Sequence, residues 1–304
     1  MLKPISTAIA ITLIFLLALT LFLERAWGKR PGSALKMTKL SNQYNIHVNI
    51  NYLTVNGYRL KLDLYQRKTS QPNPTLIFIH GGGWIDGEKR LQVRKLIPYL
   101  EMGLSVVNIE YRLANIAHSP AAVEDCLCAL RWVIGHAEKY NFDPDKIILA
   151  GESAGGHLAL TTGLIPASTE LNLPNAGEET LKVAAIINWY GITDVQDLIT
   201  GSNTREYAVT WLGNQPDKLE IADRVSPLNY IQPNLPPILT IHGDADTVVP
   251  YSHAVRLHQA LDQAEVNNQL LTIPQGGHGQ FNASEEQKIN QTIHNFLRQS
   301  QLLN

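Results

Sequence analysis

Ser153, His278 and the acids Asp244 and Asp246 are the side chains of this 304-residue chain whose types and order suit nucleophilic chemistry. A serine hydroxyl is a weak nucleophile, so it needs a base to take its proton and a carboxylate to orient that base. Ser153 stands in Gly151-Glu152-Ser153-Ala154-Gly155-Gly156. The run Lys146-Ile147-Ile148-Leu149-Ala150 before it reads as a buried strand, and His157-Leu158-Ala159-Leu160-Thr161 after it as a helix. Strand, Gly-x-Ser-x-Gly and helix in that order predict a sharp turn that lifts the serine hydroxyl to the carboxyl edge of a sheet. Side chains at Gly151 and Gly155 would collide with the neighbouring strand and helix. The helix N-terminus behind Ser153 favours developing negative charge.

The base must come late in the chain, on a loop after a strand. His278, in Gln275-Gly276-Gly277-His278-Gly279, meets that condition. His136, His253, His258 and His294 fall on predicted helices, and His157 points along the helix that follows Ser153. The acid should lie between Ser153 and His278. In His242-Gly243-Asp244-Ala245-Asp246 the candidate is Asp246, which lies further out on the loop, with Asp244 as the alternative. Acyl transfer also needs donors aimed at an oxyanion. Ala154 offers one backbone N–H, and Gly82 and Gly83 of His80-Gly81-Gly82-Gly83-Trp84 offer others, because bare backbone can come close to a substrate.

Elements to carry these residues are legible around them. Ile46, Val48 and Ile50, then Leu60, Leu62 and Leu64, alternate with polar residues about Asn56-Gly57, which predicts a hairpin. Strands are expected at Thr75 to Ile79, Leu104 to Ile109, Val183 to Asn188, Ile238 to His242 and Leu270 to Ile273. Between them the spacing predicts helices at Glu88 to Leu100, Ala121 to Ala137, Ala254 to Ala264 and Ile289 to Leu297. Alternation of this kind demands a mostly parallel, twisted sheet with helices on both faces, an α/β fold. The connection from Ile192 to Pro236 is long and is expected to roof the site.

Taken together, these segments resemble the α/β-hydrolase esterase/lipase superfamily with a His-Gly-Gly-Gly oxyanion motif. Tyr111-Arg112-Leu113-Ala114, Ser119-Pro120-Ala121-Ala122-Val123-Glu124-Asp125 and Asp143-Pro144-Asp145-Lys146-Ile147 are similar to segments of hormone-sensitive-lipase-like proteins. Those proteins usually carry Asp-Pro-Leu-x-Asp at the acid and a longer N-terminal cap. Here His242-Gly243-Asp244-Ala245-Asp246 and a simple hairpin resemble feruloyl-esterase-like, acetyl-esterase-like and prenylcysteine methylesterase-like proteins instead. That resemblance implies Asp246 as the acid and an α/β-hydrolase fold with a short insertion after the sixth strand. The expected activity is a serine carboxylesterase on short-acyl esters. Trp84 and Trp211 are expected to wall the substrate pocket. An amidase or peptidase on the same scaffold, or a non-catalytic binding protein, are the rivals.

Composition narrows the partners. With 44% hydrophobic and 17% charged residues and a formal charge of -2, nothing favours nucleic acid. No cofactor is expected, since Gly81-Gly82-Gly83 lacks a dinucleotide fingerprint, and His242-x-Asp244 alone does not make a metal site. Cys126 and Cys128 share a helix at a spacing unsuited to a bridge. Residues 5–23 are almost wholly apolar and as a helix would be about 28 Å long, enough to span a bilayer. The expected organisation is an anchor or signal segment at residues 1–24, a tether at 25–44 and a catalytic domain at 45–304. The expected location is a membrane, through a single-pass anchor on either side, with secretion after cleavage as the alternative.

Overall fold

A computed structural model of the chain describes residue 40 and residues 42–165 and 181–303. Two compact units are delimited, residues 1–45 and Ile46–Asn304, and the site lies in the second. The anchor expected over residues 5–23 and most of the tether lie outside the described residues. Membrane placement is corrected here: among the described residues no helix is long and apolar enough to cross a membrane.

Eight strands form one sheet in the order β1-β2-β4-β3-β5-β6-β7-β8. They are β1 (Tyr44–Val55), β2 (Tyr58–Arg67), β3 (Asn73–Ile79), β4 (Ser105–Ile109), β5 (Phe142–Glu152), β6 (Ala185–Trp189), β7 (Ile238–Gly243) and β8 (Asn268–Ile273). β1 and β2 join through Asn56 and Gly57, both at positive φ, the geometry that makes Asn-Gly a hairpin turn. β2 pairs antiparallel with β4, and every pair from β4 to β8 is parallel. Parallel strands covered on both faces have no solvent side, so β4 and β7 are buried along their whole length.

Among the described residues of the second unit the α-helices are α1 (Val93–Glu101), α2 (Ala121–Gly135), α3 (Ala137–Tyr140), α4 (Ala154–Leu164), α5 (Glu206–Leu212), α6 (Lys218–Arg224), α7 (Ser252–Gln263) and α8 (Ala283–Gln299). Val123, Leu127 and Leu130 of α2 enter the core at the spacing read from sequence. The helix expected from Glu88 begins later, because Lys89–Gln92 form a 3-10 turn. Lys89 is buried there, with Nζ donating to Asp63 (2.9 Å) and Asn49 (2.8 Å), and its carbonyl accepts from Asn108 (2.8 Å). That side-chain bond occupies an acceptor that a regular helix would use.

The connection from Ile192 to Pro236 is not an open loop. It holds α5, α6 and short 3-10 turns at Gly201–Asn203 and Pro227–Tyr230. Ala208, Trp211 and Leu212 share one face of α5 at helical spacing and are buried, which is why this segment folds onto the core.

Candidate active site

β3, β5, β6, β7 and β8 end at the same edge of the sheet, and the loops beyond them carry the site. Ser153 joins β5 to α4 at φ 55° and ψ −119°, a conformation sparsely populated for any residue with a side chain. Its N–H donates to the Trp189 carbonyl (2.8 Å), and its carbonyl accepts from His157 N–H (3.0 Å), so both neighbours hold the strained turn. The flanking glycines are sterically required. A Cβ on Gly151 would stand 2.1 Å from the Gly155 carbonyl oxygen, and one on Gly155 would stand 2.1 Å from that of Ile79.

After β3 the backbone runs through Gly82, Gly83 and Trp84 at φ 114°, 59° and 60°. Gly82 closes a tight turn in which its carbonyl accepts from Ile85 (3.1 Å) and Asp86 (3.0 Å), and a Cβ there would meet the Asp86 carbonyl at 2.0 Å. Ala154 is the first residue of α4 and is buried directly behind Ser153. His80 is stacked on Tyr111 (4.3 Å between rings), and burial lowers its pKa to about 4.

His278 lies between β8 and α8, and its Nδ1 is 2.7 Å from Asp246 Oδ2. The structure therefore brings together the expected base and acid, with Nδ1 committed to the carboxylate. Asp246 Oδ1 accepts from the backbone N–H groups of Val248 (2.8 Å) and Val249 (3.0 Å). Burial would raise the Asp246 pKa, but hydrogen bonds from His242 and His278 and from this backbone hold it well below the usual carboxylate range. Asp244 is turned elsewhere, accepting from the backbone N–H of Gln275.

Ser153, Gly82, Gly83 and His278 line one cavity of about 380 Å³, together with Gly81, Asp86, Gly87, Gln92, Glu152, Tyr190, Tyr207 and Val248. Trp84 and Trp211 do not line it, which corrects the expectation for the pocket. Both are fully buried and stack on each other at 4.1 Å and 12°, with His157 edge-on to each. The left-handed backbone at Trp84 follows two glycines into the core, and its carbonyl is held by Ala114 N–H (2.9 Å).

Tyr190, Tyr207 and Glu152 are among the cavity residues that the sequence did not single out, with Asp86, Gly87, Gln92 and Val248. The Tyr190 ring lies 4.6 Å from that of His278, and its hydroxyl donates to Glu152 Oε1 (3.0 Å), which Lys95 also contacts. Their signal was position: Tyr190 immediately follows β6, and Glu152 precedes the serine, both at the carboxyl edge of the sheet. Tyr207 had a weaker signal, since nothing local distinguishes it from a core aromatic on α5. Among the described residues no group of three or more His, Cys, Asp or Glu side chains could hold a metal ion.

The chain is similar to known proteins in sequence and in fold. The BD-FAE family model matches residues 62–261. Esterase LipC of Mycobacterium tuberculosis is 30% identical over 246 residues, covering 77% of this chain and 60% of its own length. An acetyl esterase of Salmonella paratyphi B is 27% identical over 235 residues, covering 75% of this chain and 67% of that protein. The chain thus spans about three-fifths of the length of LipC, and less of the related LipM and LipQ (54% and 50%). Among solved structures, the propionate-bound esterase Est2 of Thermogutta terrifontis superposes with a TM-score of 0.72 at 25% identity, covering 86% of this chain and 96% of that one.

Proposed function

Because this chain belongs to the BD-FAE family, we propose that it is a serine carboxylesterase that hydrolyses short-acyl esters through an acyl-enzyme. One observation carries the proposal: a strained Ser153 shares a cavity with a His278 whose Nδ1 is bound to Asp246. With Nδ1 so engaged, Nε2 is the nitrogen left to accept the Ser153 proton. Ser153 Oγ attacks the ester carbonyl as His278 takes that proton. The carbonyl oxygen gathers negative charge toward the backbone N–H groups of Gly82, Gly83 and Ala154. Collapse of the tetrahedral species breaks the bond to the alcohol, which leaves with the proton from His278. A water then gives its proton to His278 and attacks the acyl-serine, and collapse breaks the bond to Ser153 Oγ, which takes that proton back from His278 as the acid is released.

A cavity bounded by side chains supports the short-acyl reading. Tyr207 and Val248 bound it, and Tyr207 is braced by its hydroxyl donating to the Val248 carbonyl (3.1 Å). Each methylene accepted should add about 0.8 kcal/mol of burial until the wall is met, after which the gain reverses. The acetyl esterase relative and the propionate-bound neighbour lend support. The test is kcat/KM on p-nitrophenyl esters from acetate to palmitate, with matching anilides for amidase activity. The expected maximum lies at acetate to butyrate. A maximum at about eight carbons or beyond contradicts the short pocket, and preference for anilides contradicts the ester assignment.

A further inference from the structure

His242 stands one residue before the end of β7 and is completely buried, yet it makes contact with the site. Its Nε2 lies 3.2 Å from Asp246 Oδ2, the same oxygen that His278 Nδ1 approaches at 2.7 Å. The Val249 carbonyl is 3.1 Å from the same Nε2. Both neighbours are acceptors, so Nε2 must carry the proton and donate to them. Nδ1 has no partner and is inaccessible, so a second proton there would be a buried donor without an acceptor. Asp246 is then saturated. Oδ1 takes the N–H groups of Val248 and Val249, and Oδ2 takes His278 and His242, which together fill the roughly four acceptor positions of a carboxylate.

We propose that His242 is a positioning residue for the reaction above: by donating to the oxygen that orients His278, it fixes that carboxylate and withdraws charge from it. His242 does not line the cavity and touches no reacting atom. Its influence passes through Asp246 to the base. With two donors on Oδ2, His278 shares the carboxylate's charge, and the imidazolium it forms is less stabilised than it would be alone. A base that holds its proton less tightly returns it more readily to the departing alcohol. The depressed pKa of Asp246 agrees with a carboxylate this heavily solvated by donors.

Other groups also face this cluster. Tyr190 approaches the rings of both His278 (4.6 Å) and His242 (6.5 Å), and brings Glu152 to its hydroxyl. Tyr251 stands edge-on to His242 at 5.6 Å. Tyr207 and Arg205 bond to the carbonyls of Val248 and Thr247 on the Asp246 loop. None of them donates to Asp246 Oδ2 in the structure, so the His242 effect is separable from theirs.

His242 can matter to catalysis only if Ser153, His278 and Asp246 act as proposed above, so the test carries controls for that assignment. The pH profile of kcat/KM on p-nitrophenyl acetate is measured for wild type, His242→Phe and His242→Gln, beside Ser153→Ala and His278→Ala. Phe removes the donor, whereas the Gln amide nitrogen can take the place of Nε2. In His242→Phe the acid limb is expected to move to higher pH by about half a unit, a threefold change in proton affinity, while KM stays near wild type. His242→Gln should keep the wild-type limb. A limb unmoved in a folded His242→Phe overturns the inference and leaves the triad standing. Wild-type-like activity in Ser153→Ala or His278→Ala overturns the triad instead. A second measurement needs no variant: nitrogen-15 histidine spectra of the wild-type protein should place the His242 proton on Nε2. A proton on Nδ1 overturns the inference, and this decides the matter if His242→Phe does not fold.

Discussion

At the residue scale, the two acids of the loop after β7 divide their work by geometry. Asp246 faces His278 at 2.7 Å, whereas Asp244 accepts from Gln275 and so ties the β7 loop to the β8 loop. Asp246→Asn should therefore lower kcat by about 10³–10⁴-fold with little change in KM, because an amide cannot hold the imidazole in the tautomer that the reaction needs. Asp244→Asn should leave kcat close to wild type. Steady-state kinetics on one short ester checks both, and equal losses would show that the loop and not the carboxylate is what matters. The serine, the histidine and the acid pair could be read from sequence as residue types on loops that the structure brings to one edge of the sheet. What sequence could not give was His242. It reads as the last residue of a buried strand and as half of a pair with Asp244 that does not make a metal site, and its contact with Asp246 depends on how the following loop turns back over β7.

At the element scale, α5 joins the core to the cavity wall. Tyr207 and Trp211 lie one turn apart on it, Tyr207 reaching the cavity and Trp211 wholly buried against Trp84. Trp211→Ala should cost about 3–5 kcal/mol of stability by leaving a cavity, with the chain-length optimum of the esters unchanged. Tyr207→Ala should do the reverse, costing less stability and shifting the optimum toward longer acids as the wall recedes. Denaturant melts and the ester series separate the two outcomes. A shifted optimum in Trp211→Ala alone would restore that tryptophan to the pocket. Strands β1 to β8 were readable because alternation and short apolar runs are local signals, as at Leu60, Leu62 and Leu64. The helices of the 192–236 segment were not, since α5 and α6 are seven residues each, too short for the pattern of Ala208, Trp211 and Leu212 to stand out among Pro, Asn and Asp. The two tryptophans misled because neither Trp84's place beside the glycine run nor Trp211's place in the roofing segment says which way an indole turns: at Trp84 a left-handed turn sends it inward, and Trp211 is buried on the core face of α5.

At the scale of the whole molecule, buried histidines contribute to its response to acid: burial lowers the pKa of His253 and His258, and more strongly that of His80 and His157. Burial lowers the pKa of His80 to about 4 and of His157 to about 3. His157 donates from Nε2 to the Val225 carbonyl (2.7 Å) beneath the paired tryptophans. Each stays uncharged in the folded chain at pH values where the unfolded chain would bind a proton, so unfolding takes up protons as pH falls below the ordinary imidazole value of about 6.5. Their contribution is thus fully present above that value and is lost as pH falls toward the folded values. Each adds a slope of about 1.4 kcal/mol per pH unit across that window. Asp246, depressed in the fold, adds the same sign of change at lower pH, below the ordinary carboxylate range. Urea midpoints should drop steadily between pH 6.5 and about 4, and less steeply in His157→Gln, whose amide can still donate to Val225. Midpoints flat across that range would mean these rings are hydrated in the native state.

The proposed hydrolysis requires that Ser153 become covalently acylated. Incubating the protein with a fluorophosphonate probe, then measuring intact mass and mapping the labelled peptide, tests it without assuming a natural substrate. One probe per chain is expected, on the peptide containing Gly151-Glu152-Ser153-Ala154-Gly155, with no label in Ser153→Ala and slowed labelling in His278→Ala. A label on another residue, or undiminished ester hydrolysis by a folded Ser153→Ala variant, would contradict the account.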